Sequence, residues 1–240
     1  MSSPGDWFNS LPPVSKAYGT LCLMTTAGCH MGLVNPKFLY LDYDLVVKHL
    51  QIWRLLTNFF FLGRFSINFA IRLLIIARYG VHLERGPFER RTGDFLWMMI
   101  FGALSLLGFS LFPALNSDYM GMSLVFMLPY IWAREFPNAQ VNISGLVTLK
   151  GFYLPWAMLA MNVIFGSPLI PDLLGIVVGH LYYFLTELHP RAGGNNILKT
   201  PIWIHKLVAL WNVGPQASSP VQSEPTTGTV FRGRSYRLGR

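Results

Sequence analysis

Residues 169–188, LIPDLLGIVVGHLYYFLTEL, decide the fold class of this 240-residue chain. The stretch is apolar along almost its whole length and long enough to cross about 30 Å of hydrocarbon as a helix. Five further apolar segments of similar character lie at 16–34, 59–83, 95–113, 119–134 and 146–166. The pattern predicts an all-α, polytopic membrane protein with six transmembrane helices.

The composition excludes most other classes. Hydrophobic residues make up 52% of the chain and charged residues only 12%, against roughly 25% charged residues in an average soluble domain. A soluble enzyme and a disordered protein are therefore both excluded, and two cysteines are too few for a disulfide scaffold. The expected partner is a lipid bilayer rather than a nucleic acid, although the net charge is +8.

The distribution of basic residues predicts the orientation. If the N-terminus is cytosolic, one side of the membrane receives 14 of the 19 Lys and Arg residues. The other side receives Lys37, Lys48 and Arg54, and the second segment itself contains Arg64 and Arg72. Because Lys and Arg concentrate in cytoplasmic loops, both termini are predicted to be cytosolic.

Composition shifts divide the chain into five parts. These are a cytosolic N-terminal segment (1–15), a six-span membrane domain (16–190), a region with a short interfacial helix (191–213), a linker rich in Pro, Ser, Thr, Gly and Gln (214–230) and a basic, aromatic C-terminal peptide (231–240). Within 201–213, Trp203, Leu207 and Trp211 recur at helical spacing, as expected for a helix on the membrane surface.

Three polar residues are candidates for a functional site in the second span. Arg64, Asn68 and Arg72 are four residues apart, so on a helix they share one face. A charge near mid-membrane costs several kcal/mol unless it meets water or a partner. We interpret them as a polar face that lines a groove; in the alternative, Arg64 extends to the interface and Arg72 pairs internally.

Other motifs concern helix packing and possible catalysis. Gly175 and Gly179 form a Gly-x-x-x-Gly pattern, which allows close packing of helices. Ser123 would need a neighbouring base to act as a nucleophile, and the candidates within spans are His30 and His180; a lone intramembrane histidine is more often structural. No metal-ligating or phosphate-binding motif is present, so no metal and no cofactor is expected.

Several short motifs together resemble the Derlin family of the rhomboid superfamily. The residues in these motifs are most similar to those of plant Derlins. They are the N-terminal segment 5–14 (GDWFNSLPPV), the pair Trp53-Arg54, 153–156 (YLPW), 179–184 (GHLYYF) and the Gly-x-x-x-Gly of the sixth span. The resemblance runs from about Gly5 to Val213 and implies a rhomboid-like fold.

The resemblance also bears on catalysis. Active rhomboids carry Gly-x-Ser-Gly at the start of span four and a histidine three residues before the Gly-x-x-x-Gly of span six. Here Ser123 occupies the serine position, Leu124 replaces the second glycine and Asp172 stands in place of the histidine. The resemblance therefore implies a pseudoprotease and not an enzyme.

By resemblance, the protein resides in the endoplasmic reticulum membrane and belongs to ER-associated degradation and the unfolded protein response. It would assist retrotranslocation of misfolded lumenal and membrane proteins, together with a membrane RING ubiquitin ligase. The C-terminal peptide resembles an SHP box, in which Phe231, Gly233, Leu238 and Gly239 would bind a valosin-containing-protein-type AAA ATPase. Homo- or hetero-oligomerisation stays open.

The mechanistic hypothesis places a polypeptide in a cavity beside spans two and five, in a bilayer thinned by the first loop and by mismatched spans. Three alternatives remain: an active intramembrane serine protease, a channel or transporter for a small solute, and a scaffold for the ligase. The protease requires Ser123 and a base, the channel requires solute flux, and the scaffold dispenses with the polar membrane face.

Overall fold

The computed structural model describes residues 4–112, 115, 117–143, 147–195 and 197–211. This part of the chain is mostly helical. Its α-helices are α1 (Pro4–Ser10), α2 (Pro13–His30), α3 (Tyr43–Lys48), α4 (Arg54–Thr57), α5 (Ile67–Ile75), α6 (Val81–Arg85), α7 (Thr92–Phe109), α8 (Gly121–Glu135), α9 (Leu154–Ile164), α10 (Leu169–Tyr183), α11 (His189–Arg191) and α12 (Ile202–Leu210).

Short non-α turns join some of these helices. A π-helical turn at Ile76–Gly80 links α5 to α6 in one rod over 67–85, and a second at Phe184–Leu188 links α10 to α11. Two 3₁₀ turns, Pro36–Phe38 and Gly151–Tyr153, precede α3 and α9. Each of the six apolar segments of the sequence therefore contains one helical rod, formed in order by α2, α5–α6, α7, α8, α9 and α10–α11.

The second rod begins later than its apolar segment. Residues 59–66 are not part of this helix, because Ser66 adopts an extended conformation and its Oγ accepts a hydrogen bond from the backbone N–H of Phe69 at 3.3 Å. A serine in this position is a typical N-cap, which satisfies a free amide of the first turn. The expectation that the helix covers 59–83 is wrong at its N-terminal end.

A β-hairpin is the second departure from the sequence-based expectation. Strands β1 (Gln140–Ile143) and β2 (Val147–Lys150) pair antiparallel, with Gln140 opposite Lys150. The predicted span 146–166 is therefore helical only in part: its N-terminal residues form β2, and its helix α9 begins at Leu154. β-Branched residues are concentrated in both strands, and they favour extended backbone over helix.

Helix α8 forms the centre of the bundle. Twelve of its 15 residues are buried, and α10 packs along it more extensively than any other described pair of elements. Fully buried side chains from the surrounding helices and from the segment before α5 complete the core, among them Leu62, Leu83, Met98 and Val178. A helix buried on all sides is expected to be hydrophobic all round, as α8 is.

Two described helices are long and apolar enough to cross a membrane, Thr92–Phe109 and Leu169–Arg191. Large apolar side chains are also exposed on the outside of the bundle: Ile67 is 77% exposed, Leu74 66%, Leu104 57% and Ile164 80%. An apolar surface this extensive is unfavourable in water. The fold is that of a helical membrane protein.

Helix α12 closes the described chain and packs on α7. Ile204 and Val208 are fully buried, and Thr200 donates a hydrogen bond to the Asp94 carboxylate at 2.6 Å. Trp203 and Trp211 remain about half exposed. The helix predicted from their spacing is present.

Candidate functional site

A buried polar cluster connects three helices. Asp172 of α10 is only 2% exposed and accepts a hydrogen bond from Asn162 Nδ2 of α9 at 2.8 Å. Arg72 of α5 interacts electrostatically with Asp172, and its Nη1 donates to the carbonyl oxygen of Leu62 at 2.7 Å. The sequence indicated Arg72 and Asp172 separately; the structure places them within electrostatic range and adds Asn162 as the hydrogen-bond donor to Asp172, which sequence reasoning missed.

A groove of about 190 Å³ lies beside this cluster, between α5 and α9. Asn162 lines it and so connects it to the cluster, and Arg78 is its charged member. The remaining walls are mainly apolar, with Ile71 and Leu74 from α5 and Met158, Met161 and Phe165 from α9 and its end. The groove can accept an extended apolar segment and offer it hydrogen bonds at one end.

The predicted polar face of Arg64, Asn68 and Arg72 divides in two. Asn68 and Arg72 lie on α5, but Arg64 precedes the cap residue Ser66 and is exposed. Arg64 lines a different pocket, at the end of α2. The prediction that all three residues share a helical face is wrong for Arg64.

Gly175 and Gly179 lie at the contact between α10 and α8. A Cβ atom at Gly175 would stand 2.5 Å from the carbonyl oxygen of Ser123, and one at Gly179 would stand 2.7 Å from the ring of Tyr130. Both distances are shorter than a Cβ contact tolerates. The absence of a side chain at these two positions sets the separation of the helices.

Ser123 lies at the contact between α8 and α10 and is enclosed by it. Its side chain is fully buried, and its Oγ has no hydrogen-bond partner in the part of the chain that the structure describes. His180 instead bonds through Nδ1 to Tyr130 Oη at 2.7 Å, seven residues or about 10 Å along α8 from Ser123. His30 lines the pocket of Arg64. Neither histidine is placed to activate Ser123 as a nucleophile.

Arg54 organises the first loop. It is 3% exposed, and its Nη1 donates to the carbonyl oxygens of Lys37 at 2.8 Å and Tyr40 at 3.0 Å. Its Nε donates to Gln51 Oε1 at 2.6 Å. Trp53, by contrast, is 52% exposed. Arg54 therefore fixes the loop, while Trp53 is presented on its surface.

Glu84 is a second buried carboxylate, which sequence reasoning did not indicate. It is 4% exposed, and its oxygens accept hydrogen bonds from the backbone N–H groups of Val14 (3.0 Å) and Ser15 (2.8 Å) and from Ser15 Oγ (2.7 Å). The carboxylate caps α2, whose own N-cap residue, Pro12, offers no side-chain hydrogen bond.

Within the described ranges no cluster of three His, Cys, Asp or Glu side chains could hold a metal ion. The linker (214–230) and the peptide with Phe231, Gly233, Leu238 and Gly239 lie outside the described residues, so their assignments stay predictions.

The bundle and its groove define a class: a helical membrane protein with a side-opening apolar groove beside a buried polar cluster. Comparison with known proteins identifies the family. The model of the Der1-like family matches residues 11–202. The chain belongs to this family, which confirms the resemblance to Derlins.

Individual relatives align with most or all of the chain. It is 59% identical over 264 residues to Derlin-1 of Arabidopsis thaliana, with 99% of each chain aligned. It is 60% identical over 242 residues to Derlin-1 of Oryza sativa subsp. japonica, with all of each chain aligned. Derlin-2 of the same rice is 37% identical over 217 residues, 87% of each chain.

Proposed function

We propose that this protein is a non-catalytic component of ER-associated degradation that assists the retrotranslocation of misfolded lumenal and membrane proteins. It resides in the endoplasmic reticulum membrane with six spans, a rhomboid-like fold and both termini in the cytosol. Membership of the Der1-like family supports this class of function. The observation that carries the mechanism is the groove between α5 and α9 beside the Arg72–Asn162–Asp172 cluster.

The groove suits an unfolded client. Its apolar walls would contact client side chains, and Asn162 and Arg78, which line the groove, offer hydrogen-bond donors to polar backbone. Unsatisfied backbone groups each cost several kcal/mol in hydrocarbon, so even a few such donors reduce the barrier to entry.

The short helices support local thinning of the bilayer. Helix α9 has 11 residues and α8 has 15, which corresponds to roughly 16 Å and 22 Å at 1.5 Å per residue. Both are shorter than the ~30 Å hydrocarbon core. A bilayer that thins around short spans shortens the path of a polar chain.

The proposal that an ATPase and a ligase are partners is based on the sequence alone. The SHP-box-like residues Phe231, Gly233, Leu238 and Gly239 would recruit the AAA ATPase, which supplies the pulling force, and the membrane RING ligase would modify the client. A pull-down of the ATPase with wild type and with Phe231→Ala plus Leu238→Ala tests the tail directly: binding that survives both substitutions would overturn this part.

A non-catalytic role accords with the surroundings of Ser123, which is buried and lacks a base among the described residues. A fluorophosphonate probe checks the alternative, an active protease. We expect no labelling at Ser123; labelling that Ser123→Ala abolishes would support the protease.

Site-specific photocrosslinking tests the groove. A photoreactive amino acid at Met158, inside the groove, should crosslink to a misfolded client during its turnover. The same amino acid at Leu104, on the outer side of α7 and 57% exposed, is the matched control and should crosslink mainly to lipid. Equal client crosslinking at both positions would contradict a client path along α5 and α9.

A further inference from the structure

A second pocket lies where α2 ends, against the segment that precedes α5. It has a volume of about 360 Å³. Its lining combines one cation, three other side chains with polar atoms, and aromatic walls: Arg64, Thr26, Cys29, His30, Pro36, Phe61 and Phe65.

Two polar groups in this pocket lack a protein partner. Thr26 is 1% exposed, and its Oγ1 has no hydrogen-bond partner among the described residues. A buried hydroxyl in that state is unfavourable by about 1–3 kcal/mol. The guanidinium of Arg64 likewise makes no hydrogen bond or ion pair with the described part of the chain. The Thr26 hydroxyl is not reached from the pocket, because its oxygen has almost no accessible surface, so the free guanidinium of Arg64 is the feature that a ligand explains.

The charge of the pocket specifies the ligand chemistry. No Asp or Glu is among the lining residues, so the positive charge of Arg64 is not neutralised within it. The last carbonyls of α2 are also occupied: those of Ala27, Gly28 and Cys29 accept hydrogen bonds from the backbone N–H groups of residues 31–34. A guanidinium with neighbouring thiol and imidazole groups is suited to an oxyanion.

The surroundings point to a lipid as the source of the oxyanion. Large exposed apolar side chains adjoin the pocket: Met31 is 66% exposed, Leu33 75%, Phe65 47% and Ile67 77%. The pocket therefore lies where apolar surface gives way to polar loop. On the orientation given under the proposed function, this is the lumenal edge of the hydrocarbon, the depth at which phospholipid phosphates lie.

We infer that this pocket binds the phosphate group of a phospholipid, with Arg64 as its ion partner. Phe61 and Phe65 contact the glycerol end of the lipid. The inference rests on the membrane placement in the proposed function, but it concerns a site distinct from the client groove.

Cys29 supplies a direct readout of occupancy. The chain has two cysteines; Cys22 is fully buried, and Cys29 lines the pocket and is partly exposed. The full-length protein is purified in a phosphate-free detergent and labelled with a water-soluble maleimide. We expect a short-chain phosphatidylglycerol to slow labelling of Cys29 several-fold and a diacylglycerol without phosphate to leave it unchanged.

Two variants locate the effect. Arg64→Gln should lose the protection, whereas Lys37→Gln, which removes a cation from a neighbouring loop but outside the pocket, should keep it. Circular dichroism and the elution volume confirm that each variant is folded.

The outcomes distinguish the sources of phosphate. Protection by inorganic phosphate at equal concentration would assign the site to free phosphate and overturn the lipid as its source. No protection by either, or equal protection in Arg64→Gln, would overturn the site itself. Because the readout uses purified protein without a client, its failure is distinguishable from failure of the proposed function, which appears in client crosslinking.

Discussion

At the scale of single residues, Glu84 is the side chain with the clearest energetic consequence. It replaces a local cap for α2 with a carboxylate from another helix. We expect Glu84→Ala to reduce the free energy of unfolding by about 1–3 kcal/mol, because buried N–H groups lose their acceptor. Chemical unfolding in mixed micelles measures this. The exposed Glu89 is the matched control. An equal loss of unfolding free energy in Glu89→Ala would contradict the role of Glu84 as the cap of α2.

The buried cluster predicts an energetic coupling. Replacing Arg72 alone leaves the Asp172 carboxylate with only Asn162, and replacing Asp172 alone leaves the partly buried Arg72 guanidinium with only the Leu62 carbonyl oxygen. Because the two charges interact without a direct hydrogen bond among the described residues, we expect a coupling smaller than the about 3–5 kcal/mol typical of a directly paired buried ion pair. Arg72→Leu together with Asp172→Leu should therefore be more stable than the two single effects added together. A double-mutant cycle measures the coupling, and strict additivity would show that the residues are independent.

The sequence reveals these residues only in part. Arg72 was conspicuous as a charge within an apolar segment, and Asp172 as a departure from a motif. Asn162 carried no signal, because its partner becomes apparent only when α9 packs on α10. Arg64 lies outside the predicted polar face of the second span, because the N-cap residue Ser66 decides where α5 begins.

At the scale of elements, the contact between α8 and α10 depends on two missing side chains. Gly175→Ala and Gly179→Ala should each lower stability, because the added methyl group would stand 2.5 Å and 2.7 Å from its neighbours. Gly108 on α7 is the matched control: nothing lies within 4 Å of its Cβ position, and alanine there should stabilise the helix by up to ~1 kcal/mol. Thermal unfolding of the three variants decides the matter. A neutral Gly175→Ala would mean that the helices are free to separate.

Hydrophobic segments predicted the helical rods well, since each of the six contains one. The exception is the hairpin β1–β2. Its second strand lies within the apolar segment 146–166, so an apolar search does not separate it from α9. Its short strands lack the length over which a helical period can be tested, and only their β-branched residues indicated extended backbone. The π-helical turns at Ile76–Gly80 and Phe184–Leu188 are likewise invisible to a search for apolar segments.

At the scale of the whole molecule, the proposed function is divided among three regions. The groove between α5 and α9 would accept the client, the short spans would thin the bilayer, and the C-terminal peptide would recruit the ATPase. Ser123 has none of these tasks. Since the Ser123 hydroxyl is buried and has no hydrogen-bond partner among the described residues, we expect alanine in its place to preserve the fold.

The most direct test is the half-life of a misfolded lumenal glycoprotein in cells that lack their own Derlins. Cells are rescued with wild type, Ser123→Ala, Arg72→Leu plus Asp172→Leu, or Phe231→Ala plus Leu238→Ala, each at matched abundance. We predict that Ser123→Ala clears the client like wild type, whereas the cluster and tail variants leave it stable. If Ser123→Ala fails at normal abundance while the cluster and tail variants succeed, the protein acts as a protease and the account is wrong.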